Sequence, residues 1–281
     1  MIGVFDSGYG GLTILEQIRS LNPEYDYLYL GDNARSPYGT RSYETVYHYT
    51  RQAVQWLYEQ GCSLVILACN TASAKALRTI QQRDIDPSVL RVLGVIRPTV
   101  EQVPALTHTG HVGVLATPGT VGSQSYVIEL QKQWEMANIR NLPLHITQQA
   151  CPLWVPLIEA GEYQTEGAWW FIRKYVNDLI AQDEQIDTIL LACTHYPLIY
   201  SQIRTVLREL GRDDINVVSQ GEIVAKSLQH YLTRHPEIEC RLQKNGVCHY
   251  TTTESAEKFA DSASLFLSQH ICAKQVELPL I

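Results

Sequence analysis

No Cys-x-x-Cys pair occurs in the sequence, although it holds seven cysteines. That absence removes the usual zinc-finger and redox-dithiol signatures. An odd number of scattered cysteines also argues against a disulfide scaffold, so free thiols are expected. Long apolar runs are missing too: none approaches the roughly 20 residues needed to span a bilayer. The opening Met1-Ile2-Gly3-Val4-Phe5-Asp6 has neither the basic flank nor the apolar core of an export signal, which points to a reducing cytoplasm. There is no basic excess, with 22 Lys plus Arg against 29 Asp plus Glu and a net charge of −7. So acidic a chain carries no electrostatic footprint for nucleic acid or an anionic membrane. No Pro- or Gly-rich linker divides the sequence.

What is present reads as an α/β protein. Over 281 residues, 45% hydrophobic and 18% charged, there is room for a well-buried core and two lobes. Ile2 to Phe5, Tyr27 to Leu30, Leu64 to Ala68 and Val92 to Ile96 read as buried strands. Between them Gly11 to Ser20, Tyr43 to Gln60 and Ala72 to Gln82 read as helices. A second unit begins after Pro98, with strands at His111 to Ala116, Leu142 to Thr147 and Thr188 to Ala192. Its helices are expected from about Ser123 to Met136 and from Trp169 to Ala181. The tail adds a strand at Asn216 to Val218, a helix at Ile223 to His230, a polar stretch and a last helix near Ala256 to Ser268. Strand and helix in alternation predict two pseudo-symmetric lobes, each a mostly parallel sheet flanked by helices, with a cleft between them. The expected division is 1–98 plus 206–281 for the first lobe and 99–205 for the second.

One pattern stands out of this alternation. Leu64-Val65-Ile66-Leu67-Ala68-Cys69-Asn70-Thr71 and Thr188-Ile189-Leu190-Leu191-Ala192-Cys193-Thr194-His195 are near copies, each an apolar strand ending in Ala-Cys and small polar residues. Gly3-Val4-Phe5-Asp6-Ser7-Gly8 corresponds likewise to Gly113-Val114-Leu115-Ala116-Thr117-Pro118, which suggests a diverged duplication. Strand ends are where α/β sheets place reactive groups. Two thiols presented this way can face opposite sides of one small ligand, an arrangement suited to removing a proton from one face and returning one to the other. A following helix start favours a thiolate at each cysteine.

The flanking residues extend that site. His195 shares a loop with Cys193, and Asp6 can serve Cys69 in the same way. Asp6 and Ser7 precede Gly8-Tyr9-Gly10-Gly11, whose glycines allow close backbone approach to a ligand but lack the dinucleotide-binding spacing. Asp6 and Ser7 also suit a plain helix cap. Gly31 to Gly39 is loop throughout; Arg35 in it reads as solvent-exposed, and Pro37-Tyr38-Gly39 can offer backbone amides. Asn70, Thr71 and Thr194 offer hydrogen bonds to ammonium and carboxylate groups. Glu159, within Pro156-Leu157-Ile158-Glu159-Ala160-Gly161, reads on composition as a solvated helix end.

Together these motifs, in this order, resemble the glutamate racemase family, within the cofactor-independent Asp/Glu racemase superfamily that includes makers of D-glutamate for peptidoglycan. The resemblance runs from the first residues to about residue 230. It implies an isomerase that binds glutamate and uses no metal, pyridoxal phosphate or nucleotide. Cys69 and Cys193 would be the two bases, Asp6 assisting the first, His195 and Glu159 the second. Asp6, Ser7, Tyr38, Gly39, Asn70, Thr71, Thr194 and His195 would hold the substrate. A homodimer is compatible with the resemblance; nucleic-acid and membrane partners are not expected.

Two stretches depart from the family pattern. Arg97-Pro98-Thr99 follows the fourth strand where Pro-Gly or Glu-Pro is expected, and Ser219-Gln220-Gly221 stands where Asp-Ser-Gly is frequent. Both are expected to affect hinge or domain packing and to stay clear of the catalytic set. Rival readings are a related two-thiol enzyme for aspartate, a hydantoin or a malonate derivative, a binding protein that keeps the fold without turnover, and a redox dithiol.

Overall fold

The computed structural model describes residues 1–139, 141–264, 266–267 and 270–279. The first run of elements is β1 (Ile2–Asp6), α1 (Gly11–Leu21), β2 (Tyr27–Gly31), α2 (Tyr43–Glu59), β3 (Leu64–Leu67), α3 (Asn70–Lys75), α4 (Leu77–Arg83) and β4 (Arg91–Gly94). The second is α5 (Ile96–Leu106), β5 (His111–Ala116), α6 (Pro118–Gly122), α7 (Ser125–Met136), β6 (His145–Ala150), α8 (Trp154–Glu159), α9 (Glu166–Gln182), β7 (Thr188–Ala192), α10 (Tyr200–Glu209) and β8 (Asn216–Val218). The tail supplies α11 (Gly221–Arg234), α12 (Pro236–Glu239), β9 (Cys248–Thr252), α13 (Ala256–Ala263) and β10 (Ala273–Gln275).

Two parallel sheets result, ordered β10-β9-β2-β1-β3-β4 and β6-β5-β7-β8. The order β2-β1-β3-β4 in the first matches β6-β5-β7-β8 in the second, so β1 corresponds to β5 and β3 to β7. The duplicated sequence motifs therefore occupy equivalent strands. β1, β2, β3, β5 and β7 are buried along their whole length, as strands covered by helices on both faces must be. Helix α2 shows how sequence shapes the covering layer. Val46, Thr50, Ala53, Val54 and Leu57 form its buried stripe, Ser42 caps it by accepting the Thr45 N–H, and Gly61 follows at φ +88°. No helix among the described residues is long and apolar enough to cross a membrane.

The structure moves several elements from where periodicity put them. The expected strand Val92 to Ile96 ends at Gly94, and Ile96 opens α5. Pro98 falls in the first turn of that helix, where a missing N–H costs nothing. The expected single helix Ala72 to Gln82 is two, broken at Ala76. The strand expected at Leu142 to Thr147 lies at His145–Ala150, because Leu142 and Leu144 pack on the core from the preceding loop. The polar stretch after the expected helix Ile223 to His230 contains β9, which extends the first sheet beside β2. Helix α13 stops at Ala263, and Ser268, the expected end, lies outside the described residues. Residues 206–281 were expected to return to the first lobe; β9 and β10 join the first sheet, whereas β8 pairs with β7 in the second.

Candidate active site

Strands β3 and β7 deliver Cys69 and Cys193 to one cleft, each only 6% exposed. Ser7, Tyr38, Gly39, Asn70, Thr71, Thr194, His195 and Glu159 line the same cleft, so it gathers segments that lie far apart in the chain. Asp6 is fully buried at the end of β1, behind the cleft wall. Among the described residues that line the cleft there is no Lys or Arg, and His195 is the one side chain able to carry a positive charge.

The two thiols have unlike surroundings. Cys69 caps α3, its sulfur accepting the Ala72 N–H at 3.5 Å and lying 3.4 Å from the Ser7 hydroxyl. Burial, and after it the neighbouring Asp6 carboxylate, pushes this thiol up to about 12, against the pull of Ser7 and the Ala72 N–H. The expected helix-start effect is thus present at Cys69 but is outweighed. Cys193 lacks that setting, because a 3₁₀ turn, Tyr196–Ile199, separates it from α10. Its partner is His195, with Nδ1 3.8 Å from the sulfur.

His195 is braced on its other side by Glu159, whose Oε1 lies 2.9 Å from Nε2. Burial works against an imidazolium here, yet the contacts with Cys193 and Glu159 prevail and lift His195 to about 10. The solvated role that composition suggested for Glu159 gives way to this one, since α8 ends against the cleft. Burial raises the Asp6 carboxyl, although the His195 charge and the N–H groups of Gly8 and Gly11 oppose it. Asp6 accepts the Gly8 N–H at 2.9 Å, and the Thr194 hydroxyl lies 3.5 Å from its Oδ1. Its hydrogen bonds thus reach toward the Cys193 side, while its charge acts on Cys69.

The glycines of Gly8-Tyr9-Gly10-Gly11 serve neighbouring side chains more than a ligand. A Cβ on Gly10 would lie 2.2 Å from Thr194 Oγ1 and 2.4 Å from His195 Nδ1. A Cβ on Gly11 would lie 2.4 Å from that of Asp6. Close approach is required here, but the approaching groups belong to the protein.

The loop after β2 is fixed by buried Asp32, which accepts hydrogen bonds from the Tyr38 hydroxyl, from Arg35 Nε at 2.7 Å and from Thr253 at 2.9 Å. Arg35, expected in solvent, is instead tied down and stacked over Tyr49. The Tyr38 hydroxyl is consumed in this anchoring, and Tyr38 and Gly39 line the cleft. Across the rim, Gly39 O accepts the Gly119 N–H at 2.7 Å, joining the two halves.

Two further residues belong to the site. Thr117 lines the cleft and sits 2.9 Å from Thr71, hydroxyl to hydroxyl. Its signal was its alignment with Ser7 in the duplication. Gln220 reaches Asn70 at 2.6 Å, so the departure at Ser219-Gln220-Gly221, expected to stay clear of the catalytic set, adjoins it. Thr99, from the other departure, bonds to the same Gln220 at 2.9 Å.

Known proteins are similar to this chain over nearly its whole length. The family described as Asp/Glu/Hydantoin racemase matches residues 12–228. A glutamate racemase of Ruegeria sp. (strain TM1040) is 38% identical, with 96% of this chain and 97% of the relative covered. The crystal structure of a glutamate racemase isoform from Bacillus anthracis aligns with a TM-score of 0.86 at 32% identity, covering 100% of this chain and 98% of that one. That of the Francisella tularensis glutamate racemase in complex with D-glutamate aligns at 0.82 and 30% identity, covering 99% and 97%. With its duplicated sheets, its paired cysteines and these relatives, the chain belongs to the glutamate racemase family of the Asp/Glu/hydantoin racemase superfamily.

Proposed function

We propose that the protein interconverts L- and D-glutamate by a two-base reaction at Cys69 and Cys193, supplying D-glutamate for peptidoglycan. The observation that carries this reading is that two cysteines on equivalent strand ends enter one cleft with different helpers. The glutamate assignment draws on relatives of that name over nearly the full chain.

In the L-to-D direction Cys193, as thiolate, takes the Cα proton, and Cys69, as thiol, gives its proton to the opposite face. The pair ends with Cys193 protonated and Cys69 as thiolate, which is the state that runs the reverse direction. The unlike settings suit this division. The His195 ring, held by Glu159, stands 3.8 Å from the Cys193 sulfur, where it can exchange a proton with it. Burial and Asp6 favour the protonated form of Cys69.

The Cα proton of an amino acid is weakly acidic, so the site must stabilise a developing carbanion. Among the described residues no Lys or Arg lines the cleft, and the work falls to backbone N–H groups and the amide and hydroxyls of Ser7, Asn70, Thr71 and Thr194. Fixed dipoles in a dry site are worth far more than in water. Burial of both reacting sulfurs supports that setting. Free, unpaired cysteines fit a reducing cytoplasm, where such thiols persist. Assembly as a homodimer is a separate proposal, tested by sedimentation at micromolar concentration.

The deciding experiment incubates the protein with L-glutamate in deuterated water, with no added cofactor. Optical rotation should decay to zero while the Cα proton signal is replaced by deuterium. If neither change occurs with glutamate but both occur with aspartate, the substrate assignment fails.

A further inference from the structure

We infer that Gln220 is a positioning residue, locking the Asn70 side chain so that one amide N–H stays directed to the substrate. The inference rests on the reading of Asn70 as a substrate-binding residue. Gln220 is 2% exposed and sits just before α11, at the junction of the two sheets. Its Oε1 accepts from Asn70 Nδ2 at 2.6 Å, and its Nε2 donates to the hydroxyls of Thr99 and Tyr126, both at 2.9 Å. The Tyr126 hydroxyl in turn donates to Asn70 Oδ1 at 2.7 Å. Asn70, Gln220 and Tyr126 thus close a buried ring.

The direction of that ring is determined. The Val95 carbonyl, which can only accept, takes the Thr99 hydroxyl at 2.7 Å and lies 3.4 Å from Gln220 Nε2. Turning the Gln220 amide over would set its oxygen against that carbonyl. Gln220 Oε1 must therefore face Asn70, and Asn70 must present Nδ2 to it. With Oδ1 held by Tyr126 and one Nδ2 hydrogen by Gln220, a single N–H of Asn70 remains, on a residue that lines the cleft beside Cys69. Tyr126 on α7 and Thr99 on α5 belong to elements that pack with the second sheet, so the same ring ties the Cys69 strand end to the other half.

The test has two readouts. The side-chain amide signals of Asn70, assigned by their loss in Asn70→Ala, should exchange slowly with solvent in the native protein. In Gln220→Leu they should exchange at least about tenfold faster. In the kinetics, Gln220→Leu should raise KM for both enantiomers by about tenfold with kcat changed less than about threefold, the mark of a lost binding contact. In an Asn70→Ala background the same substitution should add less than about twofold, because the two act through one contact. Unchanged amide exchange, or KM effects that multiply, would overturn the inference. If Gln220→Leu does not fold, Tyr126→Phe opens the ring by removing the hydroxyl that joins Gln220 Nε2 to Asn70 Oδ1, and the same two readouts decide. If the native protein does not turn over glutamate, the functional reading fails, while amide exchange still decides what Gln220 does.

Discussion

Glu159 Oε1 lies 2.9 Å from His195 Nε2, although the two residues are 36 positions apart and arrive from different elements. This contact and the sulfur of Cys193 convert a buried imidazole, which alone would lose its proton readily, into one held protonated to about pH 10. The Cys193 side of the cleft therefore holds a charged imidazole paired with the Glu159 carboxylate, a setting that the Cys69 side lacks.

That charge has a pH signature in stability. The His195 ring is raised from 6.5 to about 10 on folding. Its contribution is fully present below about pH 6.5, declines as pH rises, and is gone above about 10. Glu159→Gln should lower the folded value and shorten this window from the alkaline end. Thermal unfolding from pH 6 to 10 measures it. Identical profiles for the variant and the native protein would contradict the pairing.

Cys69→Ser and Cys193→Ser should each reduce racemisation by roughly 10²–10⁴-fold, the usual contribution of an acid or base. Following optical rotation with each enantiomer separately tests both. Full turnover in either variant would exclude a two-base reaction.

Asp6→Asn separates charge from shape. The Gly8 N–H can still be accepted by the amide oxygen, so the β1 turn should persist. Removing the carboxylate should lower the Cys69 pKa, because Asp6 adds to the rise that burial produces. Thiolate absorbance near 240 nm should then appear at lower pH. If activity nevertheless drops by about 10²-fold, Asp6 takes part in proton transfer and does not merely tune the thiol.

Gly10→Ala should cost at least about 10² in kcat/KM while circular dichroism stays native-like. Its Cβ would lie 2.4 Å from His195 Nδ1, forcing the imidazole and Thr194 to move. Near-native activity would mean that this side of the cleft is far less constrained than its packing indicates.

Legibility in the sequence followed the kind of signal each element carried. The buried strands ending at Cys69 and Cys193 were readable because a parallel strand covered on both faces needs a continuous apolar run. β9 was not, since Cys248-His249-Tyr250-Thr251-Thr252 is polar enough to pass for loop and becomes a strand by pairing with β2. Glu159 gave no local sign of a partner, and Gln220 showed only as a departure from the family pattern.

The sequence by itself determined the alternating α/β order, the duplication and the two matched strand ends, because these follow from apolar periodicity and repeated motifs within short windows. Chain proximity and the family resemblance already paired Asp6 with Cys69 and His195 with Cys193; only the tertiary structure decided what holds those groups in place. Those contacts join residues distant in the chain, such as Glu159 to His195 and Gln220 to Asn70. Burial, which requires the whole fold, then determines how strongly each one acts.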